Sequence, residues 1–238
     1  MKPKYLISFV AVALTAFAVA ANTALATSAK VTVRVEGPAS TIYEGAVTTE
    51  GHTVTTESGG THKCNGTNDG VYPEPVPVAT AALDTAAKAD GFTWNGPWVS
   101  SFEDYDVTRI ANTIQTETEF WELLVNYLPA ERGGCEVRVA SGNEVLWAFN
   151  GFNAEHFLKL TGPKTAKTDT PITVKVTDGA TGEAISDALI APVNGSEVAT
   201  NPKGEAMITF TTTGEKHIKA SKAKSIRSAT LSIVVSKG

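Results

Sequence analysis

Val78-Ala79-Thr80-Ala81-Ala82-Leu83-Asp84-Thr85-Ala86-Ala87-Lys88-Ala89-Asp90-Gly91 decides the fold class. It places Ala82, Leu83, Ala86, Ala87 and Ala89 at helical spacing, and Gly91 supplies a C-terminal stop. The segments around it alternate with the two-residue period of strands. Val31-Thr32-Val33-Arg34-Val35 is such a strand, followed by Gly37-Pro38 and a second strand over Thr41 to Thr48. Further strands are expected near Tyr105–Ile110, Phe120–Tyr127, Glu136–Val139 and Val145–Phe149. One main helix among these strands gives a mainly β chain whose first part is α+β.

Beyond Thr161-Gly162-Pro163 the character changes. Residues 27–161 carry 8 basic and 18 acidic side chains and all four tryptophans. Residues 162–238 carry 10 basic and 7 acidic, with Phe210 as the one aromatic. This shift at a Gly-Pro step divides the mature chain into 27–161 and 162–238. Short alternating runs fill the second part, among them Ile172–Val176, Ala188–Ala191, Ala206–Phe210 and Ala229–Val235. Turns at Asp178-Gly179 and Asn194-Gly195 separate them, which is the pattern of a small β-sandwich.

Residues 1–26 read as a signal peptide: Lys2 and Lys4 precede an apolar run, and Ala24-Leu25-Ala26 puts small residues at a cleavage site. No later stretch reaches the ~20 apolar residues that span a bilayer, so no transmembrane segment is expected after cleavage. The expected location is secreted, extracellular or at the cell surface. A net charge of −5 over the whole chain argues against nucleic acid as a partner.

Four stretches carry a family resemblance in order: Val31-Thr32-Val33-Arg34-Val35-Glu36-Gly37, Ala82-Leu83-Asp84, Phe120 to Tyr127, and Ser141 to Phe149. Over Lys30 to Leu160 the chain resembles the transcobalamin C-terminal-like family of secreted β-grasp-type domains. The resemblance implies a β-grasp-like, small-ligand-binding type of fold. Carriers of the transcobalamin type clamp a corrinoid between this domain and a large helical domain. No such helical segment is legible in this chain, so no corrinoid contacts are carried over. Val176 to Ile185, with Thr200-Asn201-Pro202-Lys203-Gly204-Glu205-Ala206, resembles Ig-like and carboxypeptidase-regulatory-like repeats, which implies a spacer or adhesion module.

Cys64 and Cys135 are the only cysteines, and in an exported chain they are expected to pair. Closing a loop of that length gives roughly 4 kcal/mol. Asn65-Gly66-Thr67 and Asn194-Gly195-Ser196 fit the N-glycosylation acceptor pattern. His52, His62, His156 and His217 lack ligand spacing and read as polar loop residues, so no metal site is expected. Glu103-Asp104-Tyr105-Asp106 lacks the turn glycine of a calcium loop and reads as a solvated acidic turn. No nucleophile elbow, HExxH or phosphate loop is present, so no catalytic residue and no cofactor are assigned.

Trp94-Asn95-Gly96-Pro97-Trp98 puts two indoles on a turn-rich loop, and Asn150-Gly151-Phe152-Asn153 follows the Trp147 strand as a second one. Trp121 and Trp147 lie within apolar strand patterns and read as core. If the loops converge, Trp94, Trp98, Phe152 and Asn153 form an aromatic-polar ligand patch; otherwise Trp94 and Trp98 pack over the sheet end. Lys216, Lys219, Lys222, Lys224 and Arg227 form the one basic run, either a solvated sandwich face or a dock for an anionic polymer. The leading expectation is a non-catalytic exported binding or adhesion protein, with a glycan, a small molecule or a cell-wall polymer as partner. The alternative is a soluble carrier of a corrinoid or glycan type of ligand, and the third is a hydrolase with paired carboxylates.

Overall fold

The computed structural model describes residues 27–238; the expected signal peptide over 1–26 lies outside the described residues. The fold is mainly β, with one α-helix and several sheets. In the first part a five-stranded sheet runs Leu128–Pro129, Trp121–Val125, Glu144–Phe149, Ser28–Glu36, Thr41–Glu50. Ser28–Glu36 pairs parallel to Glu144–Phe149, and the remaining pairs are antiparallel. The helix Ala79–Asp90 packs on one face of this sheet, where Val31, Val33, Val35, Leu83, Val145 and Trp147 share a core. Burying a side chain such as Leu83 contributes ~1.5–3 kcal/mol.

The helix has no capping side chain at Val78. Its first N–H groups are met from elsewhere: Ala79 N–H donates to the Val137 carbonyl at 2.9 Å and Thr80 N–H to that of Gly134 at 3.1 Å. The 133–137 turn therefore does the work of a cap and is fixed to the helix start. At the other end Gly91 takes φ 81°, and its N–H donates to the Ala87 carbonyl, as the sequence predicts.

Two expected strands are not formed as such. Tyr105–Ile110 is split into Asp104–Tyr105, paired with Trp98–Val99, and Arg109–Ile110, paired with Trp94–Asn95. The chain must change direction between two different partners, so it cannot stay one strand. Glu136–Val139 contributes only an isolated bridge between Arg138 and Val78, because its carbonyls and N–H groups serve the helix start and Pro77. The strand expected over Phe120–Tyr127 ends at Val125, where Asn126 and Tyr127 take φ 51° and 69° and reverse the chain.

The second part is a β-sandwich. One sheet runs Glu205–Ile208, Ile172–Asp178, His156–Thr161, Ser225–Ile226; the other runs Thr165–Lys167, Leu231–Ser236, Gly214–Ser221, Leu189–Val193, Ser196–Ala199. Between them lies a core including Leu158, Val176, Ile190, Phe210, Ile218 and Ile233. His156–Thr161 precedes the Gly162-Pro163 step yet packs with this second core, so packing and composition divide the chain one strand apart.

The two parts meet over the sheet face opposite the helix. Leu124, Leu146 and Ala148 pack there against Phe157 and Ile226. Beside them Arg34 and Glu36, polar positions of an alternating strand, are 0% and 1% exposed. Lys219 donates to Glu36 at 2.7 Å and Glu44 at 2.9 Å, and Arg227 donates to Glu36 at 2.9 Å and to the Gly37 carbonyl at 2.7 Å. Arg34 spans Glu144 at 2.6 Å and the Arg227 carbonyl at 2.5 Å. Burial works against the charge on Glu44, but the Thr230 N–H and the Lys219 ammonium outweigh it and hold its pKa below the ordinary value. The opposite charges of the two parts thus meet within the molecule.

Candidate functional site

The hairpin His52–Thr56/Gly60–Cys64 is joined to the 130–136 turn by the disulfide Cys64–Cys135, the expected pairing. Tyr105 fills the space between them. Its hydroxyl lies 2.8 Å from the Val54 carbonyl and accepts from His62 N–H at 3.2 Å. Its ring takes Trp94 edge-on at 5.6 Å and Trp98 at 5.0 Å, and Trp98 stacks flat on His62 at 4.0 Å. This aromatic cluster and the disulfide hold two loops, 99–106 and 129–136, facing each other.

Between those loops lies a cleft of about 710 Å³, with Val99, Phe102, Asp104, Tyr105, Arg132 and Glu136 in its walls. A smaller cavity of about 190 Å³ shares Tyr105, Asp106, Ala130, Arg132 and Gly133 with it, and adds Trp121, Trp147 and Phe152. A third, of about 320 Å³, lies along Leu128 to Arg132. All three have Ala130 and Arg132 in their walls and lie around the Pro129–Gly133 turn; together they are called the groove. Three large apolar side chains on its walls stand in solvent: Phe102 at 70%, Leu128 at 60% and Phe152 at 66% exposure. An apolar rim of this kind over a cleft is where partners or ligands bind.

Asp104 lies on the wall of the large cleft but is buried, a correction to the solvated acidic turn expected over Glu103–Asp106. One carboxylate oxygen accepts from Tyr105 N–H at 2.7 Å and the other from Cys135 N–H at 2.8 Å. Burial pushes its pKa up to about 7 against the pull of those two bonds, with Glu136 adding repulsion. A Cβ on Gly133 would stand 2.1 Å from the Asp104 carboxylate, so the turn closes over this side chain only with glycine there. With both oxygens turned to backbone donors, Asp104 acts as a strut under the groove.

The sequence-predicted patch is divided. Trp94 is 8% exposed, and its indole N–H donates to Asp84 at 3.3 Å, which makes it a core residue. Trp98 is half-buried on His62 and Tyr105. Phe152 stands on the wall of the smaller cavity. Asn153 faces a different cleft, between the two parts of the chain, and its amide donates to Asn150 at 2.6 Å. The residues missed from sequence are Phe102, Tyr105 and Arg132; an apolar Phe102 inside an acidic turn was the legible hint.

The four histidines lie on strands, each with a defined partner, which corrects the polar-loop reading. His52 presents both ring nitrogens to acceptors, Asp84 at 2.7 Å and the Glu50 carbonyl at 2.9 Å. The hydrogen bond to Asp84 raises its pKa despite partial burial. A ring engaged on both sides has no lone pair free to act as a base or ligand. Among the described residues, no group of three or more His, Cys, Asp or Glu side chains gathers to hold a metal ion. Asn65 is half-buried, with Thr67 donating to its side chain at 2.7 Å, and Asn194 is exposed. The basic run is distributed: Lys219 and Arg227 enter the interface, Lys222 donates to the Ser186 carbonyl, Lys216 to Thr212, and Lys224 pairs with Glu155.

No family model matches the chain, and no curated protein matches it. Among solved structures it is similar to the crystal structure of haptocorrin in complex with Cbi, with 20% identity and a TM-score of 0.35. The alignment covers 51% of this chain and 25% of that one, so this chain spans about a quarter of that protein's length. A likeness at that level carries no statement about function. Among the described residues no helix is long and apolar enough to cross a membrane.

Proposed function

We propose that the chain is an exported, non-catalytic binding protein whose first part takes a small organic ligand into the groove around Pro129–Gly133, while the sandwich serves as its support. The observation that carries this reading is the exposure of Phe102, Phe152 and Leu128 on the walls of neighbouring clefts beside a buried disulfide. Apolar side chains so exposed in a pre-formed concave surface supply burial energy to a ligand. The disulfide fits an oxidising compartment. The adhesion reading loses support because Lys219 and Arg227, its central cations, are spent inside the molecule. Its remaining charges are a poor dock for an anionic polymer.

A thermal-shift and calorimetric screen of the mature chain tests this, with corrinoids, oligosaccharides and aromatic acids as probes. The expected result is a rise in melting temperature with one class, abolished in Phe102→Ser. No binding by any class at millimolar concentration, or binding unaffected by Phe102→Ser and Phe152→Ser, would overturn the reading.

A further inference from the structure

Resting on that reading, we infer that the smaller arm of the groove takes a carbohydrate ring, one unit of an oligosaccharide, with Trp121 and Trp147 as its hydrogen-bond donors. Trp121 lies opposite Phe149 and Trp147 opposite Leu123 on neighbouring strands, so the indoles are diagonal neighbours on one sheet face. They are 6% and 4% exposed, and neither indole nitrogen has a hydrogen-bond partner. Trp94, in the same core, bonds Asp84. Folded proteins rarely leave buried donors unpaired, and two lining one cavity point to an acceptor that arrives from outside.

The other walls narrow the class of acceptor. Phe152 and Tyr105 offer aromatic surface, Asp106 and Glu122 carboxylates, with Glu122 Oε2 likewise unpaired, and Arg132 a guanidinium. A purely apolar ligand would leave the indole donors unpaired. A simple anion would face Asp106 without using the aromatic wall. A sugar ring lays its C–H face on the aromatic side chains, while its hydroxyls accept from indole N–H groups and donate to a carboxylate. The arm's volume of about 190 Å³ corresponds to roughly six waters at ~30 Å³ each, the bulk of a single ring. It shares Tyr105, Asp106, Ala130, Arg132 and Gly133 with the larger cleft as wall residues, so further units would run on over that shared wall. The indole nitrogens are themselves shut off from solvent. Binding therefore requires the side chains packed over the indole edges to shift as the sugar enters.

The test is calorimetry of the disulfide-bonded chain with cello-, chito- and mannohexaose, using cobinamide as the probe of the other ligand class. One hexasaccharide is expected to bind, with Trp121→Phe and Trp147→Phe each weakening it about tenfold, the loss of one net hydrogen bond. These changes remove an unpaired donor and keep most of the ring, so melting temperatures should hold. Should either variant fail to fold, Phe152→Ser, at an exposed position, must still weaken binding. Equal saccharide affinity in all variants overturns the inference. So does binding of cobinamide alone in a Phe102-dependent way, which leaves the proposed function standing. No binding by any probe removes both.

Discussion

Buried polar groups in the first part of the chain fall into two regions that behave oppositely. On the sheet face against the sandwich, Arg34, Glu36, Glu44 and Glu144 are surrounded by donors and acceptors from Lys219, Arg227 and Thr230. Around the Pro129–Gly133 turn, the indole N–H groups of Trp121 and Trp147 and the Oε2 of Glu122 have no partner. Satisfied burial of that kind is architecture, fixing one part of the chain on the other. Unpaired burial beside a cleft is what the proposed sugar would engage.

The largest expected effect breaks the first region. Glu36→Ala leaves Arg34, Lys219 and Arg227 with an uncompensated buried charge and should cost about 3–5 kcal/mol in denaturant unfolding. Reducing Cys64–Cys135, whose partners are 71 positions apart in sequence, should cost roughly 4 kcal/mol from loop entropy and should loosen the groove.

The next prediction separates the regions by pH. Asp104 titrates near 7 folded against an ordinary 3.8. Its contribution is therefore complete below about pH 4 and is lost as pH rises through 7. His52, with its pKa raised, has the same sign, losing its contribution as pH rises through the folded value. Glu44 is opposite: its pKa is lowered, so its contribution is present above about 4.5 and lost as pH falls through the folded value. Urea unfolding at pH 5 and 8 should show a weaker protein at pH 8, and Asp104→Asn should flatten much of that difference. An unchanged pH slope in Asp104→Asn would contradict the assignment. Smaller still, Trp98→Ala should cost about 2 kcal/mol, below the ~3–5 of a fully buried aromatic, because only part of the ring packs on His62 and Tyr105. Phe102→Ser and Phe152→Ser should stay within about 0.5 kcal/mol of wild type while losing ligand.

Much of the scaffold was legible in the sequence. Helical spacing over Val78–Gly91 and the alternating strands announced the mainly β fold, and the expectation of export together with two cysteines announced their bridge. The site was less legible, since it depends on which loops face each other. Trp94 and Trp98 looked like a loop pair, but strand pairing with Ile110 and Tyr105 turns Trp94 into the core. Trp121 and Trp147 looked like core, and periodicity cannot reveal that their N–H groups lack acceptors. Gly179 reads as a turn residue and is one, but the sequence does not show that a Cβ there would stand 2.1 Å from the Tyr127 ring across the interface. The charge difference between the halves read only as a boundary, and nothing in it told that Arg34 and Glu36 would be the buried centre of an interface.

The most direct test is a titration of the ¹⁵N-labelled chain with the same hexasaccharides, following the four indole N–H resonances. Trp121 and Trp147 should shift strongly as their donors gain acceptors, while Trp94, already bonded to Asp84, stays in place. Shifts confined to Trp94 or Trp98, or no shift while a saccharide binds, would contradict a ligand seat at the unpaired indoles.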